Sequence, residues 1–539
     1  MMTEQGNRNK YWWVLGFTLF VILLTTAPYL AGFLSQGADW RFTGLVFGVD
    51  DGISYLAKMR AGASGEWLFH SPYATQQRSG SITYLPYIYL GKLAIMPGSK
   101  HIQLVILFHL FRIAGTAAVI LMTYDFIGLF IEEEVWKRAA LVLIVIGGGM
   151  GWLALVFSSA DWFGYAPLDF VSPESFGFLG IFGVPHLTFA RALFLLSLKA
   201  FITGRSGTVT GGLWLLLSIF QPIYVYIAWI VSGLYILIIV FRDFALKGKT
   251  IFRNMQSIYS HFTRQLIPVA ISAPFVGYLT YRFFTDDFLT TWRSQNIISS
   301  PSITHYFFMY GWLLPFLVPG AIRIKREYPD RSWLLLGWMG VTPVLVQLPI
   351  KIQRRLAEGI WVVLIIIAVK AFSSKYKPLD RRWSYVGILA FPSTIVLLAG
   401  AFQAALNPGF PVFRPAREVS MFQYIETNLP DNSIVLSSYE TGNALPAWAP
   451  VHVVLGHRIE TVPIQRVIKD VERVFQKDTS PRMRNKIIVE YDTDYIYWGP
   501  HEKKLGDWDP GQDHGYKLLF RDGAYNLYQV THGDEGQDR

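Results

Sequence analysis

The sequence predicts a polytopic α-helical membrane protein of about 11 transmembrane helices with a small extracytoplasmic α/β domain at its C-terminal end. Three observations carry that expectation: an apolar composition, long hydrophobic runs along the first three quarters of the chain, and a change of character near residue 405. Of 539 residues, 52% are hydrophobic and only 16% charged, against roughly 25% charged in an average soluble domain. These proportions exclude an ordinary soluble enzyme and a disordered chain alike. The 46 Gly and 28 Pro follow no fixed period, which excludes a collagen-like or low-complexity chain. With no Cys there is no disulfide framework, thiolate metal site or Cys nucleophile.

The net charge of +10 is unevenly spread. Residues 405–539 hold 15 Lys+Arg and 19 Asp+Glu, or −4, leaving 33 against 19, or +14, in residues 1–404. The basicity therefore sits in the apolar part, in short loops where the positive-inside rule accounts for it. No nucleic-acid-binding module accompanies it, so nucleic acid is not an expected partner.

A membrane-crossing helix needs about 20 mostly apolar residues. Eleven runs qualify: 11–33, 101–131, 139–157, 186–203, 208–221, 223–241, 265–284, 306–322, 333–350, 360–373 and 384–404. Residues 208–241, broken at Gln221-Pro222, read either as two helices or as one long kinked span. The first run follows Lys10 and is too long, without a small-residue cleavage site, for a cleaved signal peptide. The connectors Glu132–Arg138, Arg242–Arg264 (with Lys247, Lys249 and Arg253), Arg323–Arg331 and Lys375–Arg382 then share one side, expected to be cytoplasmic. That places 34–100, 158–185, 285–305, 351–359 and everything after 405 outside a plasma (inner) membrane. The expected division is a transmembrane domain at 1–404 and an extracytoplasmic domain at 405–539.

Two outer segments are too long to be connectors. In 34–100, Ile53, Leu56 and Met59 alternate with Lys58 and Arg60 as on a short helix lying at the membrane surface. Trp67, Phe69, Tyr73, Tyr84, Tyr87 and Tyr89 suit the headgroup zone. The tail reads as a helix at 415–428, a strand at 433–437, helices at 462–476 and 481–490, a strand at 494–498 and a hairpin at 516–530 turning at Arg521-Asp522-Gly523.

The strongest chemical signal is Asp50-Asp51, ahead of that short helix. Adjacent carboxylates repel and lose solvation at a membrane surface, so solvent, a cation or a substrate must offset them. Either Asp51 caps the helix, or one carboxylate is a general base that the other orients. Arg354 and Arg355, with Lys351 and Glu358, lie in a short outer loop, against the positive-inside trend; guanidinium forks match phosphate oxygens, and lipid headgroups or the acidic tail would also pair with them. Asp161, Asp169, Glu174 and His186 on one outer loop, and Asp286, Asp287, Arg293, His305 and Tyr306 on another, are further candidates. The stretch holding Tyr439, Glu440, Thr441, Asn443, Trp448, His452 and His457 reads either as a carbohydrate- or acceptor-facing loop or as the rim by which the tail docks. HExxH, EF-hand, GxSxG and Walker A patterns are all absent.

A polytopic chain whose long first outer loop opens on an acidic pair, followed by a juxtamembrane helix and an outer C-terminal domain, resembles the GT-C superfamily of integral-membrane glycosyltransferases. Protein O-mannosyltransferases and the aminoarabinose transferases of lipid A belong to it. The resemblance implies a polyprenyl-phosphate or polyprenyl-diphosphate sugar as donor, and as base an Asp of the first outer loop, here Asp50 or Asp51. Asp50 is favoured because Asp51 is the better placed cap. It also implies a second acidic residue, for which Asp161, Asp169 and Asp286 are candidates alongside His186 and His305. Arg354, Arg355 or Lys58 would bind the leaving phosphate. The expected partners are the lipid-linked donor, membrane lipids and a glycan, lipid or protein acceptor. No cofactor is required beyond a divalent cation, Mg²⁺ or Mn²⁺, which Asp50 and Asp51 would hold if one takes part. The rival readings are a transporter or flippase, whose polar site would lie near the midplane, and a non-catalytic scaffold.

Overall fold

The structure is a computed structural model that describes residues 2–75, 77, 79–157, 164–247, 251–373 and 383–531. Asp161, Lys249 and the Lys375–Arg382 connector lie outside the described residues. The chain divides into two compact units: Met1–Ala27, Phe111–Tyr281 and Ile297–Gly400 form one, and Pro28–Leu110, Arg282–Asn296 and Ala401–Arg539 the other.

The first unit is helical. Among the described residues of the whole chain, five helices are long and apolar enough to cross a membrane: Tyr11–Ser35, Lys100–Ile127, Pro185–Ile202, Pro222–Ala245 and Phe262–Thr285. Ile303–Met309 and Gly311–Glu327, bent by 66°, make a sixth if they form one broken span. The chain is thus a multi-pass membrane protein. Leu15, Leu19 and Leu23 stand exposed on the first helix, as side chains facing lipid should. Other apolar runs form shorter helices than their hydropathy predicts. The 139–157 run is helical to Ile146, breaks at Gly147-Gly148-Gly149 and resumes only as the single turn Leu153–Val156. Proline divides the 384–404 run into Trp383–Ala390 and Pro392–Leu406. Residues 208–241 form two helices, Gly207–Phe220 and Pro222–Lys247, because Pro222 cannot continue the first and starts the second. The core holds Trp214, Trp338 and Trp361, with the all-apolar stretch Ile360–Val369 buried on every side.

The second unit joins the tail to residues the sequence grouped with the membrane part. Strand β1 (Trp40–Phe42) pairs antiparallel with β2 (Phe413–Pro415), Arg41 opposite Arg414. The tail's sheet contains β3 (Ile434–Leu436), β4 (His452–Val453), β5 (Tyr495–Trp498), β6 (Tyr516–Asp522) and β7 (Tyr525–Val530), in the order β4-β3-β5-β7-β6. Its β3 runs parallel to β4 and β5, while β5, β7 and β6 are antiparallel. Helices Ile464–Phe475 and Pro481–Glu490 cover it through Val467, Val471, Val474, Phe475, Ile487 and Ile488. The elements expected at 415–428, 433–437, 462–476, 481–490, 494–498 and 516–530 are present within two residues at each end. The division at 404 fails to anticipate one thing: residues 34–100 fold with the tail, through a strand pair and helix packing some 370 positions apart that local pattern does not encode.

The helix Val49–Ala63 also differs from expectation. It does not lie on a surface: Ile53, Leu56 and Met59 are buried, and so are Lys58 and Arg60. Both cations are neutralised inside the unit, Lys58 by Glu460 and Arg60 by Glu426. Partners so distant in sequence make a buried helix look amphipathic. Of the aromatics assigned to headgroups, Trp67 and Tyr89 are exposed, whereas Phe69, Tyr73 and Tyr87 are core residues.

Candidate active site

The acidic pair gains its position from the start of the Val49–Ala63 helix. Gly48 is the cap residue, in the left-handed conformation (φ 55°), and Gly52 N–H donates to its carbonyl at 2.8 Å. Asp50 and Asp51 therefore fall in the first turn, where the helix dipole favours negative charge. Asp51 is not the cap, so that ground for preferring Asp50 is gone. Both carboxylates remain open to solvent.

What meets them is the tail. Asn443 Nδ2 lies 3.4 Å from Asp50 Oδ1, and His457 Nε2 lies 3.1 Å from Asp51 Oδ1. Ser438 starts the helix Tyr439–Trp448 by accepting from Thr441 N–H, and that helix carries Asn443. Gly442, one residue before, lets the 455–457 loop approach: a Cβ there would stand 1.9 Å from the Leu455 carbonyl oxygen. Behind His457, its Nδ1 is 3.3 Å from Glu460 Oε1, and the same oxygen is 2.5 Å from Lys58 Nζ. Ser71 Oγ donates to the other Glu460 oxygen at 3.1 Å, and Ser54 Oγ accepts from Lys58 at 3.2 Å. An unbroken chain of charges thus runs Asp51, His457, Glu460, Lys58, its last three members buried.

The electrostatics separate the two carboxylates. Desolvation by the surrounding protein pushes the Asp50 pKa up; His457 and Arg414 oppose this, while Asp51 and Glu440 add to it. Burial alone would lower His457, but the carboxylates of Asp51 and Glu460 outweigh it and lift the imidazole to about 9. Burial would raise Glu460, yet Lys58 and His457 hold it well below the usual carboxylate range. Asp51 therefore faces an imidazolium, while burial shifts Asp50 toward a stronger base.

Lys58 does not present its ammonium to a phosphate. It is fully buried, ion-paired to Glu460 and 4.4 Å from the Tyr84 ring centroid. Nor does the acidic pair make a cation site as arranged. Asp51 is matched by His457, and no group of three His, Asp or Glu among the described residues converges as a metal ion requires. Asp286 caps the Asp287–Gln295 helix, accepting from Leu289 N–H at 3.0 Å, and is held by Arg282 and Ser79 at 2.8 Å each. The tail residue Trp448 stacks on His101 at 3.8 Å, and His452 lies in β4.

In the other unit, Asp169 is buried, accepting from Ser393 Oγ at 2.6 Å and Gly151 N–H at 3.2 Å, and its pKa is raised to about 6 by burial against those bonds. It clamps the glycine-rich turn that ends the short 134–146 helix. His186 opens the Pro185–Ile202 helix, and His305 packs edge-on against Tyr165 at 5.8 Å. Arg354 Nη1 donates to Tyr165 Oη at 2.8 Å, and Arg355 Nε is 3.9 Å from Glu174 Oε1. The Nε–H groups of both arginines are buried with no hydrogen-bond acceptor among the described residues. Glu358 instead takes a two-pronged bond from Arg191, at 2.6 and 2.9 Å.

Of the functional candidates, sequence reasoning missed Glu460 outright. Its signal was present as an acid three residues after His457, but the partner Lys58 is 402 positions away.

The fold is similar to those of an archaeal oligosaccharyltransferase and a mycobacterial arabinofuranosyltransferase. Over 97% of its length the chain superimposes on the oligosaccharyltransferase of Archaeoglobus fulgidus, covering 75% of that protein with a TM-score of 0.50 and 12% identity. It also matches the arabinofuranosyltransferase AftD from Mycobacteria over 96% of its length, with a TM-score of 0.51 and 13% identity, spanning 40% of that longer chain. At such identities the likeness is one of fold. No family model matches the sequence, and no curated protein matches it.

Proposed function

We propose that the protein is a membrane glycosyltransferase that moves a sugar from a polyprenyl-phosphate or polyprenyl-diphosphate donor to an acceptor hydroxyl on the outer face of the plasma membrane, with inversion at the anomeric carbon. The observation that carries this reading is the solvent-open Asp50-Asp51 pair in a helical first turn, met by Asn443 and His457 of the tail, on a fold whose relatives are named as sugar transferases.

Asp50 takes the proton of the acceptor hydroxyl as that oxygen bonds to the anomeric carbon. The bond from that carbon to the phosphate oxygen breaks, and the lipid phosphate leaves with the electron pair. Desolvation, the largest influence on Asp50, raises its pKa and so makes its carboxylate a stronger base. Asn443 steadies one of its oxygens, and His457 balances the charge of Asp51. Within the first unit, Arg354 and Arg355 are proposed as phosphate ligands, their Nε–H groups being buried with no acceptor among the described residues. Incubation of the purified protein with radiolabelled polyprenyl-phosphate sugars tests the reading. Release of polyprenyl phosphate that depends on Asp50 supports it, and a folded protein that turns over neither monophosphate nor diphosphate donors overturns it.

A further inference from the structure

We infer that His457 is a positioning residue of the candidate site: its Nε2–H fixes the Asp51 carboxylate, and the Glu460–Lys58 pair behind it fixes the ring, so that the tail segment 456–460 completes the site on the Val49–Ala63 helix. The inference rests on the proposed function and names the device that organises it.

The geometry argues for an oriented group rather than an incidental contact. The two ring nitrogens differ: Nε2 is hydrogen-bonded to Asp51 at 3.1 Å, whereas Nδ1, 3.3 Å from Glu460 Oε1, makes a charge contact without hydrogen-bond geometry. The ring is 8% exposed and Asp51 is 63% exposed, so a buried donor reaches outward to hold an open acceptor. Tyr73 packs against the ring at 5.8 Å and sends its hydroxyl to the Asn443 carbonyl at 3.0 Å. One aromatic side chain thereby ties the residue beside Asp50 to the residue beside Asp51. Glu460 cannot swing away, because Lys58 and Ser71 hold both of its oxygens. Without His457, two neighbouring carboxylates would lie in one helical turn with their closest positive group removed. Asp51 would then lose its hydrogen bond to the tail, and the acidic pair would be less firmly oriented toward an acceptor.

Three variants in the full-length protein test this. His457→Ala lowers kcat at least tenfold at an unchanged donor KM, and His457→Gln, which keeps an N–H at the same reach, recovers most of the loss. Combining Asp51→Asn with His457→Ala lowers kcat no further than the worse single variant, since both break one contact. The result that overturns the proposal is a His457→Ala protein with wild-type kcat, a His457→Gln protein no more active than His457→Ala, or losses at Asp51 and His457 that multiply. Should His457→Ala fail to fold, the histidine spectra of wild type and Asp51→Asn decide by themselves. A readout independent of transfer separates this proposal from the function it rests on: ¹⁵N-histidine spectra, in which the His457 Nε2 resonance, identified by its loss in His457→Gln, shifts in Asp51→Asn. A shift without any transferase activity in the wild type refutes the function and leaves the contact; an unshifted resonance refutes the positioning role.

Discussion

Removing one partner of the Lys58–Glu460 pair should be among the most destabilising single changes in the second unit. The side chains are 0% and 1% exposed and meet at 2.5 Å. Breaking a buried pair from one side strands a charge, which costs about 3–5 kcal/mol, or roughly a hundredfold to a few thousandfold in the folding equilibrium. The two ends are not equivalent. After Lys58→Met, Glu460 keeps Ser71 and His457; after Glu460→Gln, Lys58 loses its adjacent counter-charge and keeps neutral acceptors, Ser54 and the amide oxygen, with the rings of Tyr84, Phe69 and Tyr55 around it and the Asp51 charge farther off. Glu460→Gln is therefore the costlier change, limited by the readiness of a buried ammonium to lose its proton, a direction burial already favours for Lys58. The Lys58→Met/Glu460→Gln double variant, with no stranded ammonium, should be more stable than Glu460→Gln alone. Chemical denaturation of the four proteins, followed by tryptophan fluorescence, supplies the cycle. Single variants within about 0.5 kcal/mol of wild type, or a double variant whose loss is the sum of the singles, would refute the reasoning.

Gly442→Ala should destabilise the second unit by about 1–3 kcal/mol, since the new methyl meets the Leu455 carbonyl rather than a movable side chain; a thermal melt that matches wild type contradicts that packing. Stability should depend on pH at both ends. The contribution of His457, whose folded pKa is lifted to about 9, is complete below its unfolded value of about 6.5 and fades as pH rises through 9. Glu460 is depressed, so its contribution holds above its unfolded value and is lost as pH falls below it. Melting temperature against pH should show both limbs in wild type, with the acid limb reduced in Glu460→Gln. Arg354→Ala should weaken binding of polyprenyl phosphate in nanodiscs by roughly ten- to a hundredfold, the loss of a charge-assisted hydrogen bond; unchanged binding by calorimetry removes Arg354 from the phosphate assignment.

Hydropathy made the membrane part legible, because every apolar run from 11 to 404 contains a helix. It overstated their length wherever glycine or proline interrupts, at Gly147 and Pro392, since hydropathy averages over residues that break the backbone ladder. Alternation and turn chemistry located most of the tail, including the Gly523 turn with its positive φ. The helix Tyr439–Trp448 escaped notice, for Gly442 and Pro446 lie inside it and its start depends on the Ser438 cap. The acidic pair was legible as two adjacent charges. Its surroundings were not: Asn443, His457 and Glu460 reach it from about 400 positions away, and Lys58, read as a phosphate ligand from its place on an apparent surface helix, is neutralised by one of them.

The central claim, that Asp50 is the base of a lipid-linked sugar transfer, is tested most directly by measuring polyprenyl-phosphate release from radiolabelled donors by wild type and Asp50→Asn in nanodiscs, with the melting temperature of each recorded alongside. The account predicts turnover by wild type and its loss in a variant that melts normally. Undiminished turnover by folded Asp50→Asn would contradict it.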